Sequence, residues 1–251
     1  TRKQGDGARD NMRHSLDDFN LKYVASIGSN QALTLRGNYY QEDSTITYTG
    51  LTQAEFDKLG ARYNPFKNDK FDIKRTGLSA THEVDFGKGT TLLTNLYYSQ
   101  FDRDWWRQSS NSTDTQCGAT FNTNRQNGVA VDPDTCNSVQ GRLRNYTTWG
   151  VEPRLTMAYG MGEFQAGVKV HFEEQDRKQV NGTSPTARTG ATVEDALRKT
   201  DAYSVFVANR FDFEQLSITP ILRYENISAE RINRMPGGAS GSTKVTATTP
   251  G

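Results

Sequence analysis

Arg103, Arg107, Arg142 and Arg144, with Trp105 and Trp106 between the first two, are the residues of this chain best suited to holding a ligand. A guanidinium is a planar fork of donors that grips carboxylate or phosphate oxygens in pairs and stays charged at every physiological pH. Set beside indole rings, these arginines read as an electropositive vestibule with aromatic walls. A competing reading is an aromatic girdle whose arginines pair surface phosphates or loop carboxylates, and the sequence leaves both open. Arg62 and Arg75 are weaker candidates for the same work. His14, His82 and His171 are widely spaced. Of these, only His171 falls on a polar strand face where it could ligate a haem or metal, and an ordinary face-lining role fits it as well. No nucleophile–base arrangement and no phosphate-cradling glycine loop occurs. The chain therefore reads as a binding protein, not an enzyme, with no catalytic residues, no resident metal and no cofactor.

The elements that must carry these residues are β-strands. Residues 163–173 alternate strictly: Phe164, Ala166, Val168, Val170 and Phe172 share one face, and Gln165, Lys169, His171 and Glu173 the other. A period of two with one apolar and one charged face separates an apolar medium from water. Similar runs occupy 15–28, 31–43, 71–86, 90–104, 142–159, 199–213 and 216–230, making about eight strands. Gly28-Ser29-Asn30, Gly87-Lys88-Gly89, Gly160-Met161-Gly162 and Glu214-Gln215 mark tight turns. Long excursions fill 44–70, 105–141 and 177–198, and the Gly/Ser/Thr-rich tail from Met235 reads as a fourth. Within the first, Thr52-Gln53-Ala54-Glu55 is a capping-box pattern that predicts a short helix over 52–59. Pro153 and Pro220 fall inside strand runs, where a missing N–H is poorly tolerated.

The chain has 251 residues, 34% hydrophobic and 24% charged, with a net charge of +1 and a mean hydropathy of -0.77. Such an average is compatible with a transmembrane barrel, in which only alternate residues meet lipid. No run approaches the ~20 apolar residues of a spanning helix, and no basic cluster suggests nucleic acid. Cys117 and Cys136 flank one polar excursion and read as a disulfide formed in an oxidising compartment. Residues 1–13 show neither an apolar core nor a cleavage pattern, so no signal peptide is expected among them. Asn-X-Ser/Thr matches at Asn111, Asn145, Asn181 and Asn226 carry no weight.

The apolar faces gather aromatics near strand ends (Phe19, Tyr39, Phe86, Trp149, Tyr159, Phe213), as the interfacial girdles of outer-membrane barrels do. Fold class is accordingly all-β: an antiparallel transmembrane β-barrel with short periplasmic turns and long extracellular loops. Strand one then begins outside and strand eight returns there, so eight strands cannot close by themselves. Unpaired edges in hydrocarbon cost several kcal/mol per group, and residues 1–251 are expected to be one segment of a larger barrel. A soluble β-sandwich is the alternative without a membrane.

The residues resemble the TonB-dependent outer-membrane receptors, nearest the ferric citrate (ferric dicitrate) type. Gly50-Leu51-Thr52-Gln53-Ala54-Glu55-Phe56, Asn64-Pro65-Phe66, Arg103-Asp104-Trp105-Trp106-Arg107-Gln108, Gly150-Val151-Glu152-Pro153-Arg154-Leu155 and Ile218-Thr219-Pro220 carry the likeness. It implies a 22-stranded barrel closed by a plug domain, with plug and remaining strands outside these residues, in the outer membrane of a Gram-negative bacterium. It also implies import of a ferric chelate, most simply ferric citrate, driven by TonB acting through that plug. Expected partners are the ferric citrate or siderophore ligand, TonB, lipopolysaccharide and outer-membrane lipid. A ferric siderophore or haem receptor, and a passive porin or adhesin barrel, are the alternatives. In the ferric citrate reading Arg103, Arg107, Arg142 and Arg144 neutralise the chelate.

Overall fold

The computed structural model describes residues 1–108 and 116–250, so Asn111 lies outside the described residues. One antiparallel sheet runs through the chain in sequence order. Its strands are β1 (Arg2–Asp6), β2 (Arg13–Ile27), β3 (Gln31–Ser44), β4 (Lys70–Gly87), β5 (Thr90–Arg107), β6 (Val139–Tyr159), β7 (Gly162–Gly182), β8 (Ala191–Phe213), β9 (Leu216–Ile218), β10 (Ile221–Asn233) and β11 (Gly241–Pro250). Two helices, α1 (Gln53–Leu59) and α2 (Gly118–Gln126), and a 3-10 turn over Pro133–Thr135 lie in the connections.

The expected antiparallel transmembrane β-barrel is corrected here to an open antiparallel sheet. The sheet is open: β1 pairs only with β2 and β11 only with β10, so the path has two free edges that do not meet. The strand count differs too, with eleven strands against about eight. The tail beyond Met235 is loop only as far as Ser240. From Gly241 it pairs with β10 over ten residues, because Thr243, Val245, Thr246, Thr248 and Thr249 are β-branched and suit a pleated strand.

Proline accounts for two irregularities. Pro220 separates β9 from β10, while its carbonyl still accepts the Asn209 N–H at 3.1 Å. Pro153 stays in register opposite Thr94, but the β6–β7 ladder skips Glu152 and Pro153 and resumes at Arg154. Missing donors thin the ladder without shifting it.

Alternation survives through the middle of the long strands. Leu21, Leu78, Leu96, Val168 and Val205 are exposed on one face, with Leu78 at 59%. The sheet's middle thus buries no hydrophobic core of its own. Buried apolar side chains sit instead among the long connections, where Phe66, Phe121 and Cys136 form one cluster and Trp106, Val139 and Val180 another. Strands also reach further than the alternation shows. β8 has 23 residues, roughly 75 Å of strand at ~3.3 Å each, against the ~10 that cross a bilayer. The extra length holds by charge pairing on both faces: Arg177–Glu194 at 2.7 Å, Lys199–Glu174 at 3.6 Å and Arg234–Asp176 at 2.8 Å. Residues 177–198 were expected to be loop for this reason; polar residues on both faces erase the period-two signal.

Candidate functional site

The first two long connections fold onto each other above the strand ends. Thr52 caps α1 by accepting the Glu55 N–H, and the Glu55 carboxylate accepts the Thr52 N–H at 2.7 Å. Glu55 also receives Arg125 of α2, with Nε to Oε1 at 2.6 Å and Nη2 to Oε2 at 2.9 Å, in a pair 0% and 6% exposed. Arg125 lies over the Phe66 ring and donates to the Gly50 carbonyl. The Cys117–Cys136 disulfide closes the second connection against the same cluster. Gly50, Thr52, Glu55, Asn64 and Phe66, read above as motif residues, therefore build the loop platform.

Beneath it, register fixes the polar face. Arg103 of β5 lies opposite Arg144 of β6, which lies opposite Arg177 of β7. One step toward the loops, Trp105 faces Arg142, then Gln179, then Glu194 of β8. Arg107 pairs with Gln140 in the next step. Directly opposed side chains lie ~5 Å apart, and like charges placed so repel. Glu194 answers part of this charge, 2.7 Å from Arg177 Nε and 3.9 Å from Arg144. Among the described residues no carboxylate comes within ion-pair distance of Arg103, Arg107 or Arg142. Arg144 instead donates to the Leu143 and Lys178 carbonyls, and Arg142 donates to Gln140 Oε1 at 2.9 Å.

Aromatic rings wall the cluster. Arg107 donates to the Tyr48 hydroxyl and lies over both the Tyr48 ring, at 4.9 Å, and the Trp105 ring, at 5.2 Å. Tyr48 meets Trp105 edge-on at 5.1 Å, and Arg103 lies 5.8 Å from the Trp105 ring centroid. The Nε atoms of Arg103 and Arg107 are buried without a hydrogen-bond partner. Buried donors left unpaired are costly.

Of the sequence candidates, Arg103, Trp105, Arg107, Arg142 and Arg144 come together here, and Trp106 does not. Successive strand residues point to opposite faces, so Trp106 packs on the other side against Val139 and Val180, beneath Arg188. Sequence reasoning missed Arg177 and Tyr48. Arg177 lay in a stretch taken as loop, and Tyr48 comes from the first connection, which no local pattern brings to β5. Arg75 is not among the contacts, and Arg62 pairs with Asp10 at 2.9 Å. His171 accepts or donates at Nδ1 with the Tyr97 hydroxyl, 2.7 Å away across Gly150. A side chain at Gly150 would collide with that hydroxyl, so the glycine clears the path between them. His82 lies on the apolar face against Gln31 near the turns. No group of three or more His, Cys, Asp or Glu among the described residues is placed to hold a metal.

A buried carboxyl underlies the site. Asp69, 0% exposed, accepts the Gln108 N–H at 2.7 Å, with the Thr47 hydroxyl beside it. Burial pushes its acid group up to about 7, against the pull of these two neighbours and of Arg107 and Arg188.

A family model described as TonB dependent receptor-like, beta-barrel matches residues 13–251. No curated protein sequence matches the chain. Among solved structures, the ferric citrate transporter FecA in its unliganded form superposes with a TM-score of 0.79 at 17% identity, over 99% of this chain and 34% of that one. The ferric-catecholate import receptor Fiu of E. coli K12, in its open form, gives 0.67 at 14%, over 100% and 45%. BauA, the ferric preacinetobactin receptor of Acinetobacter baumannii, gives 0.65 at 12%, over 99% and 38%. The chain thus spans less than half the length of each, and at these identities the likeness is one of fold.

Proposed function

Because the chain belongs to the family of TonB-dependent receptor-like β-barrels, we propose that it carries the outer binding station for an anionic ferric chelate taken up across the outer membrane. The family places it in the outer membrane of a Gram-negative bacterium, as a receptor without catalytic chemistry. One observation supports the ligand reading above the rest: Arg103, Arg144 and Arg177 stand directly opposed on three neighbouring strands, and Glu194 pairs with Arg144 and Arg177 but not with Arg103. Such a row is unfavourable empty and favourable around an anion.

The chelate class is narrowed by what lines the station. Guanidinium forks suit the carboxylates of ferric citrate. The Tyr48–Trp105 wall adds flat faces on which the aryl rings of a siderophore can stack. The broader class, anionic ferric siderophores with ferric citrate as one member, accommodates both features. A plug domain outside these residues would pass the TonB-derived force to the loaded station, and lipopolysaccharide and lipid would surround the apolar face. Uptake of radiolabelled iron by cells expressing the full-length receptor tests the reading. Ferric citrate and a ferric catecholate are each compared with a neutral ferric hydroxamate. Import of either anionic chelate, lost in the Arg107→Ala/Arg142→Ala variant at normal surface expression, is expected. Import unaffected by the double substitution would remove the cluster from the ligand path.

A further inference from the structure

We propose that Asp69 is a proton-sensitive positioning residue for the arginine station, holding its Tyr48 and Arg107 walls together and tuning their charge. The inference rests on the ligand reading above and adds to it a residue that does not touch the chelate.

The geometry is local and specific. Asp69 follows the Asn64-Pro65-Phe66 segment of the first connection and is fully buried. Its carboxylate accepts the Gln108 N–H, and Gln108 directly follows Arg107. The side chain of Thr47, which directly precedes Tyr48, lies beside the same carboxyl group. One carboxyl group therefore sits between the two backbone segments whose side chains meet as the Arg107–Tyr48 pair. Gln108 is itself fully buried and donates from Nε2 to the Pro133 carbonyl at 3.0 Å, which extends the tie into the second connection.

The same site is incompletely satisfied. Asp69 Oδ2 and Gln108 Oε1 are both buried and both lack a hydrogen-bond partner. Two buried acceptors without donors favour a proton on the one of them that can take it, and only the carboxyl can. Charged groups face Asp69 from three sides: Arg9 from the β1–β2 turn, Arg107 from the end of β5 and Arg188 from the β7–β8 connection. Arg188 is fixed there by donating to the Asn68 carbonyl at 3.0 Å. From the second connection, Asp132 and Asp134 are turned outward onto Lys67.

Protonating Asp69 removes one negative charge from beneath Arg107 and leaves the guanidinium free to meet an incoming anion. Ionised, the carboxylate competes with that anion. Linkage is reciprocal, so the bound anion in turn favours the protonated acid, and binding takes up a proton in the neutral range.

The experiment is the pH dependence of ferric citrate binding to the detergent-solubilised full-length receptor, measured from pH 5.5 to 8.5 alongside Asp69→Asn. The asparagine keeps an acceptor for Gln108 and cannot ionise. Wild type is expected to bind about five- to tenfold more tightly at the acid end, with a midpoint near neutrality. The variant should hold the acid-end affinity throughout, apart from the probe's own speciation, which both proteins share. An identical pH step in both proteins overturns the proposal. Should Asp69→Asn fail to assemble, Thr47→Val supplies the second reading. Loss of a neighbouring hydroxyl that favours the ionised acid should move the midpoint upward, and an unmoved midpoint overturns the proposal equally. Failure of the underlying ligand reading looks different: wild type then gives no arginine-dependent binding at any pH.

Discussion

Substituting Arg125 by Met is the sharpest test of how the loop platform is held. The change keeps an unbranched apolar stem over Phe66 and deletes the donors at 2.6 and 2.9 Å to Glu55 and at 3.0 Å to Gly50. Glu55 is then a fully buried carboxylate whose remaining bonds are those of the capping box. Breaking a buried ion pair on one side typically costs ~3–5 kcal/mol, because the other charge is stranded. At ~1.4 kcal/mol per decade, this amounts to a hundred- to several-thousand-fold faster local opening. Hydrogen exchange at the Phe56 and Gly60 amides, which bond the Thr52 and Phe56 carbonyls within α1, reads that opening directly. Adding Glu55→Gln should recover most of the protection, since Gln preserves the capping box and strands no charge. Protection unchanged in Arg125→Met, or a double variant no better than the single, would refute the view that this pair staples the two connections.

Four further outcomes are expected. Val168→Arg, on the exposed apolar face, should destabilise the membrane-inserted protein by ~2–4 kcal/mol in denaturant titration from lipid vesicles. Lys169→Ala, on the opposite face, should be mild although it loses Glu152 at 2.7 Å. Replacing Cys117 and Cys136 by Ser opens a loop with sequence separation 19. It should cost about 3 kcal/mol, read as faster proteolysis between Thr52 and Cys136. Finally, Asp69 ionises near 7 when folded and near 3.8 otherwise. Its contribution to stability is full below pH 4 and lost as pH rises through 7, on the order of 4 kcal/mol in all. Asp69→Asn should flatten that part of the stability–pH curve, measured by denaturant unfolding.

The alternation at 163–173 made the two faces legible because a strand between lipid and water cannot hide its period. Thr52 to Glu55 gave the α1 start for an equally local reason, a cap that closes within four residues. Where both faces meet water, as at Glu174, Arg177 and Lys178, polar residues follow one another and the strand looks like loop, so Arg177 went unrecognised. Adjacency in sequence also misled. Trp105 and Trp106 look like a pair of walls, yet the pleat sends one to the arginines and the other to Val139 and Val180. Tyr48, Asp69 and Gln108 meet through pairing of distant connections, which no short spacing encodes. The barrel was the remaining correction, since the described residues form an open sheet: strand patterning reports the wall, while the edges of the sheet depend on what each terminal strand pairs with.

The proposed binding station requires opposed guanidinium groups beside Trp105 to hold a negatively charged chelate. Calorimetric titration of the full-length receptor, at two salt concentrations and with Arg103→Ala/Arg144→Ala alongside, measures this most directly. Binding of an anionic ferric chelate that weakens with salt and drops by at least ~tenfold in the variant is the expected result. Equal affinity for a neutral chelate, insensitive to salt and to both substitutions, would contradict it.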